Sequence, residues 1–197
     1  MALSVTEAFS VQSPNGNSLA VFIEAQSGEI KLKDVNGKVE ALTDYISGSP
    51  YRYNATQPTA IEPILGNNVA SGNKSVIGGG NVNVASGYYS SVLGGSQNIA
   101  SNGTTFIGSG SSNVANGSGA VIVGGTGNTA QGIRSGIVSG RANTSSGYHS
   151  FIGGGCFNSS SCVYSLVGGG FRNTASECYS VVSGGWFIQL LVVVFVI

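Results

Sequence analysis

Apolar and polar positions recur along this chain with a period of fifteen residues from residue 66 onward. One position of the period is always asparagine, and we call this set the asparagine column: Asn68, Asn83, Asn98, Asn113, Asn128, Asn143, Asn158 and Asn173. Six residues before each of the last seven stands Ile or Val, and these residues with Val182 form the core column: Ile77, Val92, Ile107, Ile122, Ile137, Ile152, Val167 and Val182. Self-similarity at a fixed period indicates a repeat architecture.

The length and residue composition of the repeat indicate its structure. Fifteen residues are too few for a helix–turn–helix repeat, which needs more than about thirty. Each repeat instead has two short β-branched runs separated by glycine-rich corners, which is typical of one rung of a β-solenoid. The sequence therefore predicts an all-β fold, a parallel β-solenoid or β-roll of eight rungs over residues 66–185. At a strand spacing of about 4.8 Å, eight rungs make a rod of roughly 38 Å.

Glycine recurs three residues before the asparagine, in a glycine column: Gly80, Gly95, Gly110, Gly125, Gly140, Gly155 and Gly170. A tight corner needs positive φ and close backbone approach, which glycine supplies without steric cost. Gly87, Gly117, Gly132 and Gly147 occupy a second corner, where Asn102 is expected to adopt left-handed geometry. A phosphate-binding loop is excluded, because no Lys-Ser/Thr and no helical pattern follow the glycines.

The asparagine column has two structural interpretations. The amides can form an internal ladder from rung to rung, as in stacked β-structure. They can instead cap the corner through local bonds to the backbone. Either way, a residue repeated eight times is expected to serve the fold.

Side chains alternate between the two faces of a strand, so the residues just before the core column should point outward. The apolar members of this outer apolar column are Val76, Phe106, Val121, Phe151, Leu166 and Val181, with Ser91 and Gly136 between them. A long apolar stripe on a soluble chain usually marks an interface. The sequence therefore predicts that the rod is an oligomer whose chains meet along this column.

The two ends differ from the repeats. Residues 1–48 carry nine of the sixteen charged residues, and turn signals at Ser27-Gly28 and Asn36-Gly37 predict a small β module. Residues 49–65 hold three of the four prolines and are predicted to be an extended linker. Residues 186–197, WFIQLLVVVFVI, break the pattern, and three interpretations stand: a strand that plugs the rod, a truncated or frame-shifted end, or a membrane anchor.

Composition narrows the chemistry. The formal net charge is zero and basic clusters are absent from the sequence, which argues against a nucleic-acid partner. The repeats offer no pair of carboxylates and no metal-ligand spacing, so we expect neither catalysis nor a cofactor. His149 is expected to be a surface corner residue. Cys162 and Cys178 are expected to be neighbours on adjacent rungs, and reduced, as in a particle assembled inside a cell.

One further column is aromatic. Tyr89, His149, Tyr164 and Tyr179 stand nine residues before the next asparagine, and we call this the tyrosine column. Its rings can stack on sugars of a host surface, or on one another at a corner. The second interpretation is the one we favour from the sequence.

Repeats such as SVIGGGNVNVASGYYS (75–90) and SLVGGGFRNTASECYS (165–180) resemble two kinds of protein. Their spacing resembles the head repeats of trimeric autotransporter adhesins, which are left-handed β-rolls in a homotrimer. Their residue pattern is more similar to repeats of bacteriophage tail fibres and other appendages, and residues 28–46 resemble the opening segments of phage fibre proteins. The resemblance covers residues 66–185 and implies a homotrimer.

The function expected from this resemblance is a structural virion appendage, a tail fibre or spike on the phage tail or capsid surface. Residues 1–48 would bind other virion proteins, and the rod would contact a host surface glycan. The alternatives are a fragment of an adhesin at the bacterial cell surface and a capsid decoration protein. An ice-binding solenoid is a third class, but it needs flat Thr-x-Thr ladders, which the sequence does not show.

Overall fold

A computed structural model of the chain describes residues 9–12, 18–23, 30–33 and 39–41, and then residues 51–64 and 66–190. The described elements are β-strands, and this part of the chain contains no helix. The chain divides into two compact units, residues 1–50 and 51–197. Within the described residues no helix is long and apolar enough to cross a membrane.

The N-terminal unit contains one antiparallel sheet. Its strands are β1 (Phe9–Gln12), β2 (Ser18–Ile23), β3 (Ile30–Lys33) and β4 (Val39–Ala41). They pair in chain order as a meander. The two expected turns, Ser27-Gly28 and Asn36-Gly37, fall between β2 and β3 and between β3 and β4, in segments outside the described residues. The four strands lie within residues 1–48, where the sequence predicted a small β module.

The second unit is the predicted parallel β-solenoid. One ten-stranded sheet contains β5 (Tyr51–Tyr53), β6 (Ile61–Pro63), β8 (Val76–Ile77), β10 (Ser91–Val92), β12 (Phe106–Ile107), β14 (Val121–Ile122), β16 (Gly136–Ile137), β18 (Phe151–Ile152), β20 (Leu166–Val167) and β22 (Val181–Val182). A nine-stranded sheet contains β7 (Val69–Ala70), β9 (Val84–Ala85), β11 (Ile99–Ala100), β13 (Val114–Ala115), β15 (Thr129–Ala130), β17 (Thr144–Ser145), β19 (Ser159–Ser160), β21 (Thr174–Ala175) and β23 (Gln189–Leu190).

Neighbouring rungs pair in register at the fifteen-residue period. Val92 lies opposite Ile77 and Ile107 in the first sheet, and Ala100 lies opposite Ala85 and Ala115 in the second. A third parallel ladder of single bridges runs along the glycine-rich side, from Asn81 to Trp186. The period of the sequence is thus the length of one turn of the coil.

The interior is one layer of small and medium side chains. The core column contributes Ile and Val residues that are at most 3% exposed. The opposite sheet contributes small residues, Ala70, Ala85, Ala100, Ala115, Ala130, Ser145, Ser160 and Ala175, all fully buried. Each Ile or Val of the core column faces an Ala or Ser of the opposite sheet, and the two together fill the narrow space between the sheets. Protein interiors are close-packed, so this space accepts neither a larger side chain nor a void.

Three residues per rung adopt left-handed backbone geometry. One is the glycine column, as predicted: Gly80, Gly110 and Gly140 have φ of 87°, 103° and 101°. A Cβ on Gly110 would also overlap the backbone of Gly125 in the next rung. The second position directly precedes the asparagine, as at Val82, and the third is the tyrosine column, as at Tyr89.

The prediction for the second corner was wrong in one respect. Gly87 and its equivalents are not left-handed, and neither is Asn102. The left-handed residue of that corner is Thr104, two positions later, with φ of 57°. Glycine is favoured at 87 for a different reason, because a Cβ there would overlap the backbone of Asn102 in the next rung.

Residues 51–63 are not the extended linker that the prolines predicted. β5 and β6 form an antiparallel hairpin, and Ile61 of β6 pairs with Val76 of the first repeat. Glu62 stands fifteen residues before Ile77, in the register of the core column, and is 3% exposed. Its carboxylate accepts hydrogen bonds from the Ala70 N–H (2.8 Å), Asn54 Nδ2 (2.9 Å) and Arg52 Nε (3.1 Å).

Glu62 therefore closes the first end of the coil. β7 is the edge strand of its sheet, so the Ala70 N–H has no preceding rung to bond with, and the Glu62 carboxylate replaces that rung. Burial alone would raise the pKa of Glu62, but the three donors outweigh it and lower the pKa from its ordinary value. The prolines suggested a linker because the pairing of this segment cannot be read from the segment alone. Pro63 is the last residue of β6, and β6 pairs with the first repeat through Ile61 and Val76.

At the other end, the coil extends beyond the predicted limit at residue 185. Trp186 bridges to Phe171, and Gln189–Leu190 pairs with Thr174–Ala175. Ile188 takes the place of the ninth asparagine, and its N–H still donates to Asn173 Oδ1 at 2.8 Å. The part of the apolar tail that could distinguish the plug, truncation and anchor interpretations, residues 191–197, lies outside the described residues.

Candidate functional site

The asparagine column is an internal hydrogen-bond ladder that also fixes a corner. The N–H of each asparagine donates to Oδ1 of the asparagine one rung earlier, as from Asn128 to Asn113 at 3.0 Å. Asn128 Nδ2 donates to the carbonyls of Gly124 (3.1 Å) and Gly140 (2.9 Å). Both interpretations offered by the sequence are thus correct together. Because every polar atom of this buried column has a structural use, the column offers no chemistry to a ligand.

The outer apolar column lies on the exposed side of the ten-stranded sheet. Val76 and Val121 are each 37% exposed, Phe151 is 39% exposed and Val181 is 55% exposed. Phe106 and Leu166 are half-buried. The single chain therefore presents the apolar stripe that the alternation of side chains predicted.

A second outward column, two residues further on, complements the first, and the sequence analysis missed it. Where the outer apolar column has its bulkiest residues, Phe106, Phe151 and Leu166, this second column has Gly108, Gly153 and Gly168. Where the outer column is small, at Ser91 and Gly136, the second has Leu93 and Val138.

The two columns together make a level apolar surface. The Phe106 ring lies over Gly108, 3.6 Å from the position of a Cβ there, and the Phe151 ring approaches the corresponding point on Gly136 at 3.1 Å. Leu93 and Val123 of the second column are 54% and 50% exposed. We call these two columns the outer apolar face. The exchange of large and small residues within a rung was the signal that could have revealed it.

The tyrosine column is divided by the structure. His149 and Tyr164 are stacked at 5.1 Å between ring centroids with an interplanar angle of 8°, and Tyr164 stacks on Tyr179 at 5.4 Å and 18°. Tyr89 stands apart from these three, since Thr104, Gly119 and Arg134 hold the intervening positions. The stacked rings agree with the mutual-stacking interpretation.

Tyr89 has a different partner. Lys74 Nζ donates to its hydroxyl at 2.9 Å and lies 5.0 Å from its ring centroid. This hydrogen bond raises the pKa of Lys74 and lowers the pKa of Tyr89, because each charged form is stabilised by the other group.

A second aromatic cluster lies in the last rungs, along the ladder of single bridges that runs from Asn81 to Trp186. The sequence analysis did not predict it. The ring centroids of Phe157 and Phe171 are 5.8 Å apart, and those of Phe171 and Trp186 are 5.0 Å apart. The Arg172 guanidinium is 5.2 Å from the Phe171 ring and 5.8 Å from the Phe157 ring, and Arg141 is 5.9 Å from the Phe157 ring. We call these five residues the aromatic–arginine corner. The signal in the sequence was that aromatic residues and arginine appear only in the later rungs of these two columns.

The cysteines are neighbours, as the spacing predicted, but the expectation that they are reduced differs from the structure. Cys162 and Cys178 form a disulfide, with a Cα–Cα distance of 4.7 Å. The bond is possible because a separation of sixteen residues places the two on adjacent rungs one position apart. Cys156, in the third ladder, is a free thiol.

Residues 51–64 and 66–190 contain no group of three or more His, Cys, Asp or Glu side chains placed to hold a metal ion. The coil itself does not require the composition of the outer apolar face or of the aromatic–arginine corner. No protein-family model matches the chain, and no characterised protein matches it in sequence.

Proposed function

We propose that this chain is a structural protein of a bacteriophage appendage, a tail fibre or spike, whose solenoid assembles as a homotrimeric rod. Residues 1–48 attach the rod to other virion proteins, and the rod contacts the host surface. The chain carries out no catalysis in this role. The observation that carries the proposal is the outer apolar face.

The interior of the coil is complete without that face. The core column is fully buried within one chain, so the outward apolar residues add nothing to the core of their own rungs. Large and small residues are nevertheless exchanged in most rungs, with glycine beside phenylalanine and leucine beside serine, and only Val121 and Val123 are equal in size. A level surface allows close packing against a second surface, which is what an interface between chains requires.

Trimerisation also suits the mechanics of an appendage. A single coil, one side chain thick, is held mainly by rung-to-rung hydrogen bonds. Three coils that share a central apolar core resist bending much better than one. A stiff rod transmits contact at its tip to the particle that carries it.

The oligomer is tested with the full chain by sedimentation and native mass spectrometry. We expect a trimer for the wild type. Changing Phe106 and Phe151 together to Asp should dissociate or unfold it, because burying charges without partners is costly. The gentler pair Phe106→Ser with Phe151→Ser should yield folded monomers, since Ser91 already occupies this column.

The matched control places two aspartates elsewhere on the same coil. Tyr89 and Tyr148 are exposed corner residues, 46% and 40% accessible, and Tyr89→Asp with Tyr148→Asp should leave the trimer intact. A well-folded wild-type monomer at micromolar concentration would refute the interface. Imaging of native particles with an antibody to residues 1–48 then tests the place on the virion.

The disulfide favours a second candidate, the bacterial cell-surface adhesin. Disulfides persist in oxidising surroundings outside the cytoplasm. Alkylation of free thiols followed by mass spectrometry would count them in the native source material. Finding the chain, with Cys162 and Cys178 oxidised, in cell envelopes and not in purified particles would favour the adhesin.

A further inference from the structure

We propose that the aromatic–arginine corner binds a sugar ring that carries a carboxylate. The inference rests on the proposed appendage function only in explaining why a rod would carry such a site. Its physical basis is the arrangement of Arg141, Phe157, Phe171, Arg172 and Trp186 on one ridge of the coil.

The corner presents its rings to solvent. Phe157 is 44% exposed and Trp186 is 76% exposed, although burying either would be favourable. The same two columns in the four earlier rungs hold no aromatic residue: the first has Asn81, Ser96, Ser111 and Thr126, and the second has Val82, Gln97, Ser112 and Gly127. The backbone of this corner therefore does not need aromatic side chains. Adjacent exposed rings offer the apolar face of a pyranose a stacking surface.

The arginines select the charge of the ligand. Each guanidinium lies against a ring face, which leaves its N–H donors at the edge of the aromatic surface. In residues 51–64 and 66–190 the only salt bridge joins Arg52 to Glu62, so no carboxylate of this part of the chain neutralises Arg141 or Arg172. Glu177 is the only acidic residue of the repeats, and it occupies the column of Gly87, at another corner.

This combination matches a carboxylated sugar better than other partners. A guanidinium binds a carboxylate through two parallel hydrogen bonds while the ring carbons stack on the aromatic face. The same corner of a second copy would bring the same arginines, and its five residues include no acid to pair with them. Single-stranded nucleic acid also stacks on aromatic rings, but it needs a cationic groove that follows its backbone, and two arginines do not make one.

Trp186 makes the test direct, because it is the only tryptophan of the chain. The full-length protein is titrated with trigalacturonate, with an α2,8-linked sialic acid trimer and with a glucuronate disaccharide, and Trp186 fluorescence is followed. We expect at least one of these probes to change the emission, with a dissociation constant near or below about 1 mM. Fully methyl-esterified trigalacturonate, which has the same rings without the charge, should bind at least about tenfold more weakly than trigalacturonate if that acid binds.

Variants locate the site. Arg141→Gln with Arg172→Gln should weaken binding about tenfold or more. Added salt should also weaken binding to the wild type, because it screens the attraction between guanidinium and carboxylate. Arg134→Gln removes an arginine at another corner and should leave binding unchanged. Phe157→Ser should weaken binding and still fold, since Ser112 holds the same position three rungs earlier.

Three results would overturn the proposal. One is an unchanged Trp186 emission with all three acids at up to about 10 mM. Another is binding of the methyl ester as tight as that of trigalacturonate, which would show that ring stacking and not the carboxylate holds the ligand. The third is tighter binding of an oligothymidylate than of any of the acids, which would make the corner a nucleic-acid site. The oligomeric state, measured separately by sedimentation, tests the proposed rod independently of these outcomes.

Discussion

Inside the coil one kind of residue fills each column from the first rung to the last, whereas the outer corners change their composition along the rod. The asparagine column is unbroken from Asn68 to Asn173, but the third ladder passes from Asn81 and Ser96 to Phe171 and Trp186. The interior residues are fixed by hydrogen bonds and space that every rung imposes. The exterior residues are under no such constraint, so the composition of the outer corners can change along the rod without breaking the coil.

The largest effect should come from breaking the interior ladder. Asn128→Ala removes the donor to the Gly124 and Gly140 carbonyls and the acceptor for the Asn143 N–H. Leaving such buried groups without partners should lower the free energy of unfolding by about 3–5 kcal/mol. The control, exposed Gln131→Ala, should change it by less than about 0.5 kcal/mol. Equal losses in urea denaturation would contradict the contrast between interior and exterior.

Two adjacent glycines at one corner differ in whether the backbone requires glycine. Gly95 has φ of 88°, and a Cβ there would overlap the backbone of the next rung, whereas a Cβ on Gly94 would meet nothing within 4 Å. Gly95→Ala should cost about 3 kcal/mol. Gly94→Ala should be neutral or stabilise by up to about 1 kcal/mol through the unfolded state. Thermal unfolding of the two variants decides whether position or mere glycine content matters.

The first end of the coil should respond to acid through Glu62. Its pKa is lowered in the folded chain, so its contribution to stability is present above the unfolded pKa of about 4.3 and is lost as the pH falls through the folded value. Glu62→Gln should cost about 1–2 kcal/mol at pH 7.

The difference in stability between wild type and Glu62→Gln should shrink as the pH is lowered below about 4. Other carboxylates titrate in both proteins, so the difference isolates Glu62. A difference that stays constant from pH 7 to pH 2 would show that the carboxylate charge does not close the coil.

The smallest effect concerns a serine column beside the core. Ser150 Oγ lies 2.7 Å from Ser145 Oγ and donates to the Gly147 carbonyl at 2.7 Å, whereas Ser135 Oγ has no hydrogen-bond partner. Ser150→Ala should therefore cost about 1 kcal/mol. Ser135→Ala should be neutral or slightly stabilising, as Ala120 in the same column suggests. The opposite order in a denaturation series would mean that a water molecule satisfies Ser135.

Much of the solenoid was predictable because its constraints recur every fifteen residues. The buried Ile77 column, the left-handed Gly80 column and the rung-to-rung pairing all follow from one repeated pattern. The apolar stripe at Val76 and Phe151 followed from alternation alone. The level surface was harder to see, because it depends on pairs of residues such as Phe106 and Gly108 and not on one column.

By itself the sequence determined the fold class, the length of a rung and the buried columns, because a periodic chain gives each rung the same environment. Only the tertiary structure decided what breaks that periodicity. It placed Glu62 as the cap of β7, gave the asparagine amides both of their uses, and brought Phe157, Phe171 and Arg172 together. These contacts join residues of different columns, and which columns meet depends on how the backbone turns at each corner, which the fifteen-residue period does not specify.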